Sequence, residues 1–382
     1  MSSPRPTRPS RPLTRSRRLL VSTVAVGAVT ALVGLGVAGT AAAAPAPAHH
    51  DHRSQTVYTL TNDPAGNQVL AFHSEGGVLA PLGSFPTGGL GTGAGLGSQG
   101  AVIVAGDRLF AVNAGTDDIS SFRIRRDGSL VLTDREPTGG DEPVSITEHD
   151  GVVYVLNGGD ESVTGLRVRG NGDLRPIPGA RQVLTGAGAA EIAFDRGGDR
   201  LVVSEKASNT LTVLPVRHGV VRPGVVTASA GATPFGFAID HRNHVLVTNA
   251  EGGAAGASSV SSYAIAPDRS LQPVSPQVAT TQTSACWIAL TEDERFAYDT
   301  NAASGTISQY SVGKDGSLSL VNAIADAPGA GAADIALAGP ALYALIGGTT
   351  HVIVLDLVQA DGSLVPTTAV AVPVGAVGLA VA

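Results

Sequence analysis

The segment ERFAYDTNAASGTISQYSVGKDGSL, residues 294–318, decides the fold. It reads as strand, turn, strand, turn: alternating apolar and polar residues, broken by clusters of Asn, Gly and Ser. The closing Asp315-Gly316 pair is a hairpin signal, because glycine adopts positive φ at little cost.

Relatives of its FAYDTN core run through the chain: VYTLTN ending at Asn62, LFAVNA around Asn113, VYVLNG around Asn157, LVVSEK around Glu205, VLVTNA around Asn249 and LYALIG up to Gly347. Seven copies between residues 56 and 382 give a period of about 47, in the range of propeller blades. Each copy continues into a second strand and a tight turn, such as NGDL, DRSL or DGSL, and is preceded by a further β-rich run, such as AEIAFDR or CWIALTE. Four strands per copy follow, named a to d from centre to rim. The first copy begins at strand b, and the chain ends on a lone strand a, Val377–Ala382. That strand should pair with Val57–Thr61, closing the ring and removing its exposed edges. The expected fold class is all-β: a seven-bladed β-propeller over residues 56–382, with four antiparallel strands per blade.

The first 50 residues differ from the rest. Six arginines without an acidic residue precede an apolar run, Leu19–Val37, and an Ala42–Ala44 small-residue site. This order predicts an export signal over 1–44, and SRRLLV at 16–21 fits the twin-arginine pattern. An uncleaved anchor is the other reading of the apolar run. A linker over 45–55 should follow, its HHDH (49–52) a solvated tail rather than a metal site. The mature protein should be secreted or extracytoplasmic and a monomer, without a membrane-spanning segment.

Of 25 basic and 32 acidic residues, 19 and 32 remain without the six signal arginines, a net charge of −13. An acidic surface with two lysines, Lys206 and Lys314, excludes nucleic acid as a partner, since phosphate binding needs clustered cations. The single cysteine, Cys286, forms no internal disulfide and reads as a small core residue.

The repeats FAYDTNAASGTISQYSVGKDGSL and VYVLNGGDESVTGLRVRGNGDL resemble those of the seven-bladed propeller lactonase family, which includes 6-phosphogluconolactonases and 3-carboxymuconate-cyclising enzymes. The resemblance covers essentially all of 56–382 and implies a lactone or sugar-like substrate. Lactonase-active members carry His and Arg at the start of the inner strands. The matching segments here, EPVS, AAEI, TPFG, ACWI and AADI, hold neither. A phosphorylated substrate needs fixed cations, so phosphogluconolactone is disfavoured.

Strand order places the start of strand a and the end of strand b on one face. Gly100, Ser145, Glu191, Gly236, Trp287, Asp334 and Gly378, with the residues ending strand b, are therefore expected to ring the channel mouth. Asn62, Asn113, Asn157 and Asn301 suit turns. Glu205 replaces the usual amide, with Lys206 beside it and Glu191 in the same blade. Two carboxylates near one lysine could make a general base, or a solvated charge pair on an exposed loop. Under the catalytic reading Glu205 is the base, Glu191 tunes it, and the Asn249 and Asn301 amides steady an oxyanion. Lys206, Glu251 under the long AEGGAAGASSVSS loop, Asp334 and Trp287 complete the expected ligand site. Trp287 either stacks on a sugar ring or packs between blades. The glycine-rich GGLGTGAGLG (88–97) lacks a following GK[ST] and reads as a d–a loop whose bare amides meet an anion. No cofactor or metal is expected. The rival function is a non-catalytic scaffold that binds glycan or protein through the same face.

Overall fold

The computed structural model describes residues 54–348 and 350–382. The predicted signal over 1–44, and the linker up to residue 53 with its HHDH pattern, lie outside the described residues. Seven antiparallel sheets follow in chain order, and their inner strands touch in cyclic sequence around a central channel. Blade 1 consists of Gln55–Leu60, Gln68–Glu75 and Val78–Pro86, with Val377–Val381 as its inner strand. The last strand pairs as expected, Val57 opposite Val381 and Leu60 opposite Val377. Two further bonds between Thr56 and Ala382, at 3.0 and 2.9 Å, extend the ladder to the C-terminal residue.

One blade departs from the four-strand pattern. The outer strand of blade 4 is divided into Val220–Val221 and Val225–Ala228, both paired with Thr210–Arg217. Pro223 lies in the gap. Lacking an N–H, proline is tolerated only at an edge or break of a sheet.

The repeated turns carry more than glycine's conformational freedom. In DGSL at 127, 315 and 361, the aspartate Oδ1 accepts both the N–H and the hydroxyl of the serine two residues on, at 2.6–3.1 Å. Gly128, Gly316 and Gly362 hold φ near +80°. In DRSL the same position is Arg269, at φ 72°. These turns also join blades. Tyr58, Tyr154 and Tyr298 of three strands b donate their hydroxyls to the carbonyls of Gly128, Gly219 and Gly362 on the turns of the following blades, at 2.8, 2.9 and 2.6 Å. Tyr343 performs the same task at the closure, donating to Gln55 and Ser74 of blade 1. A buried hydroxyl bond is worth about 1 kcal/mol, so Tyr298→Phe should lower stability by about that amount in a denaturant titration, with the fold unchanged.

The core also buries acids. Asp299 and Asp356 are fully buried, and neither carboxyl has a hydrogen-bond partner of good geometry. Burial pushes Asp299 up to about 7, against the opposing Tyr310 and Ser308 hydroxyls. Burial, helped by the Asp326 carboxyl, pushes Asp356 to about 7 as well. A carboxyl whose folded pKa is raised binds its proton more tightly folded than unfolded, so its stabilisation is full below the unfolded value of about 4 and lost as pH rises to about 7. Thermal stability should therefore fall from pH 5 to pH 7.5 by a few kcal/mol and then level off. Asp299→Asn should flatten that slope, as measured by melting across pH.

Candidate functional site

Inner strands pair with strand b through a bulge in each of blades 3 to 7, for example between Ala189 and Glu191 and between Ala285 and Trp287. A bulge re-aims successive side chains. Here it turns Phe235, Cys286 and Trp287 to the loop face, while the strands beyond it line the channel below.

Two cavities result. The mouth cavity, about 380 Å³, opens on the face of the d–a and b–c loops and is walled by Leu96, Phe235, Cys286, Trp287 and the glycine backbone at 95, 97, 331, 347, 348 and 375. The second, about 400 Å³, runs toward the opposite face and is lined by Gln99, Glu148, Glu191, Asp334 and inner-strand residues as far as Ala105 and Val381. Gln99 stands between them. Its N–H donates to Ala190 in blade 4, its Nε2 to Ile288 in blade 6 at 3.1 Å, and its Oε1 accepts the Ile288 N–H at 3.3 Å. A loop between blades 1 and 2 thus reaches across the channel. It can do so because Gly236 has no side chain; a Cβ there would collide with Gln99 Oε1.

The structure separates the residues that sequence reading grouped. Glu205 stands in the asparagine position at the end of strand b and is completely buried. Its carboxylate accepts the Gly186 N–H at 3.1 Å and the Thr210 and Thr212 hydroxyls at 2.9 and 2.7 Å. Asn113, Asn157, Asn249 and Asn301 meet hydroxyls at the same place with the direction reversed, their Nδ2 donating to the hydroxyl oxygens, Asn301 to Ser308 at 2.8 Å. Glu205 is therefore neither a base in a pit nor half of an exposed charge pair. It ties strand b to strand c and to the d–a loop. Asn249 and Asn301 are likewise buried and committed, so their amides face no ligand. The expected ring of fourteen fails for this reason: the strand-b ends point into the blades.

Lys206 leaves Glu205 and donates to Gly97 O at 2.7 Å, with its Nζ 5.2 Å from the centre of the Phe235 ring. Burial lowers its pKa, against the raising effect of Glu161. Glu251 opens a short 3-10 turn, Glu251–Gly253, and accepts from Ala232 N–H and the Gln277 amide at 3.2 and 3.0 Å; it fastens loops on the rim and lines neither cavity. Trp287 packs between blades, and its ring also lines the mouth. Its Nε1 donates to Ala332 of blade 7 at 3.1 Å, while the ring meets Phe235 edge-on, centroids 5.4 Å apart, in the mouth wall. Cys286 lines the mouth, but burial pushes its thiol up to about 12.

Glu191 and Asp334 lie below Gln99. Burial raises Glu191 well above the usual carboxylate range, opposed by the Phe237 N–H and helped by the charge of Asp334. Burial pushes Asp334 to about 7, against the N–H groups of Ile335, Leu379 and Gly100. Phe235, Leu96 and Gln99 were missed by sequence reading. The one available signal was the length of the loop after Pro86, whose glycine-rich part does form a d–a loop at the mouth.

A family model described as lactonase, seven-bladed β-propeller, matches residues 243–357, which contain the repeat at 294–318. No curated protein matches the chain by sequence. Among solved structures, a putative 6-phosphogluconolactonase from Bacteroides fragilis superposes with a TM-score of 0.72 at 17% identity, covering 88% of this chain and 100% of that one. The periplasmic gluconolactonase of Pseudomonas aeruginosa gives 0.66 at 17% identity, covering 86% and 98%. Virginiamycin B lyase from Staphylococcus aureus gives 0.53 at 12% identity, covering 74% and 88%. At such identities the likeness is one of fold, and activity has to be argued from the site.

Gln99→Ala would leave the buried Ile288 N–H without a partner, a loss of about 1–3 kcal/mol. Gly236→Ala should cost a similar amount by expelling the same amide. Both substitutions should also shift the emission of Trp287, the sole tryptophan, which gives a direct readout by fluorescence.

Proposed function

Taking the chain as a seven-bladed propeller of the lactonase type, we propose that it binds a small, uncharged sugar-like or lactone ring in the mouth cavity and opens lactones there. The observation that carries this reading is the Phe235–Trp287 pair, set edge to face in a cavity of about 380 Å³. That volume suits one small ring, and aromatic faces bind the C–H surface of sugars. Among the described residues, the N–H groups of Gly95, Leu96 and Gly97 donate to no other group, which leaves them free for the oxyanion of a lactone undergoing attack by water. Lys206 acts as a positioning residue, since its bond to Gly97 O holds that loop over the cavity. Among the described residues, no arginine lines the mouth, which favours an unphosphorylated ligand. The basic, apolar and small-residue order of residues 1–44 supports export, so the ligand would be met outside the cytoplasm.

A second reading rests on a separate observation. Among the described residues, no carboxylate or histidine lines the mouth, and the Cys286 thiol is held protonated. Binding without turnover, by a scaffold for glycan, fits that inventory.

Proton release from a panel of aliphatic and sugar lactones tests both readings. Turnover is expected, reduced at least about tenfold in Trp287→Ala and in Lys206→Met, an effect of about 1.4 kcal/mol or more. Glu205→Gln should keep turnover and lose stability. Binding of a sugar or lactone without proton release would select the scaffold. Turnover that survives Trp287→Ala would move the site out of the mouth.

A further inference from the structure

The cavity below Gln99 takes no part in the proposed lactone chemistry, yet it is built around an uncommitted acid. Glu191 is more than nine-tenths buried and lines that cavity. One of its oxygens, Oε2, accepts the Phe237 N–H at 2.5 Å; among the described residues, Oε1 has no partner. Asp334 faces the same space but is used up by backbone N–H groups, including Leu379 at 2.9 Å and Ile335 at 2.7 Å. Glu148 stands further along the wall, its Oε1 taken by Gly151 N–H. Among the described residues, no lysine or arginine lines the cavity. Glu191 Oε1 borders the cavity, where an external cation with N–H donors would give it a charged partner that the protein itself does not supply.

We propose that this lower cavity is a binding site for a small primary ammonium ion, held by Glu191 Oε1 beneath the Gln99 amide. Three features choose the ligand class. Only one oxygen of Glu191 is free, so a guanidinium, which wants both oxygens of a carboxylate, is poorly matched. A calcium ion takes six to eight oxygen ligands, whereas no group of three or more His, Cys, Asp or Glu among the described residues is placed to hold a metal. An ammonium has three donors and needs one charge. The site is independent of the mouth cavity, because the two are separated by Gln99.

The surroundings of Glu191 also set a pH dependence. Asp334 faces it across the channel and its charge opposes ionisation of Glu191, while Glu148 stands on the neighbouring inner strand. The inner strand of blade 5, Pro234–Ile239, has no titratable residue. On strand b of its own blade, Arg200 is paired with Asp195 and Glu205 bonds into the blade. On strand b of blade 3, Tyr154 donates to Gly219. Because these surroundings favour the protonated form of Glu191, a bound cation competes with a proton for it, and ammonium affinity should rise as pH rises.

Isothermal titration of the full chain with n-butylammonium chloride, from pH 6 to pH 8 in two buffers of different ionisation enthalpy, tests the site. Binding should release a proton, tighten by up to about tenfold per pH unit, and weaken at least about tenfold in Glu191→Gln, which keeps an acceptor for Phe237 N–H. Tetramethylammonium, without N–H donors, should bind at least about tenfold more weakly. Absent binding, binding independent of pH, or affinity retained in Glu191→Gln overturns the inference. So does calcium binding that Glu191→Gln abolishes, which would change the ligand class. Loss of butylammonium binding in Trp287→Ala with retention in Glu191→Gln would place the ion in the mouth. If Glu191→Gln fails to fold, proton release and pH dependence in the unaltered chain decide the matter. Neither result bears on lactone turnover, so the two readings fail separately.

Discussion

The hydrogen bonds between Val377–Val381 and Gln55–Leu60 put both ends of the described chain into one sheet. Without them blade 1 has no inner strand, and its neighbours face an open edge. Closing so long a loop is less costly than it looks, because loop entropy grows only logarithmically and each doubling adds about 0.6 kcal/mol. The sole cysteine is buried and unpaired, so the ring is held shut without a disulfide, by backbone ladders, packing and side-chain bonds such as those of Tyr343 to Gln55 and Ser74. The tyrosine latches between blades follow from the same need, since each blade buries its faces only against its neighbours.

Closure sets a second constraint at the centre. Inner strands of adjacent blades lie side by side, and the N–H groups facing the next blade need acceptors. Side chains supply them: Ser145 accepts Ile192 N–H at 3.2 Å, Glu191 accepts Phe237 N–H, and Asp334 accepts Leu379 N–H. Blade 5 has Gly236 at this position and no side chain to offer. The donor it would have served, Ile288 N–H, is met instead by Gln99 from across the channel. The partition of the channel into two cavities thus grows out of one missing acceptor.

The fold was legible because its signals are local and repeated seven times: FAYDTN-like runs, Asp-Gly turns, and the unmatched strand at each end of the chain. The site was legible only in part. Trp287 and the glycine-rich loop were found because they break the repeat, and both line the mouth. Glu205 breaks it too, yet a carboxylate with two hydroxyls and one N–H to bind does an asparagine's work. A break in a repeat cannot tell a new function from a substitute partner for the same hydroxyls. The bulge that aims Phe235 at the mouth leaves no mark in composition or period, and Gln99 meets Gly236 and Ile288 only through the closed ring.

The same geometry limits what chemistry each chamber can perform. The channel-lining acids with raised pKa values, Glu191 and Asp334, lie below Gln99, whereas the aromatic wall and the free amides lie above it. A proton held on Glu191 cannot reach a ring stacked on Trp287 unless the Gln99 amide gives up its bonds to Ile288. The lactone opening proposed for the mouth would then rest on amide donors and water, a set that suffices for an activated ester far better than for an amide or a glycoside. The raised acids below have another consequence. They act as clamps between blades in their neutral or hydrogen-bonded forms, so the interior acidity that looks catalytic is first a product of ring closure.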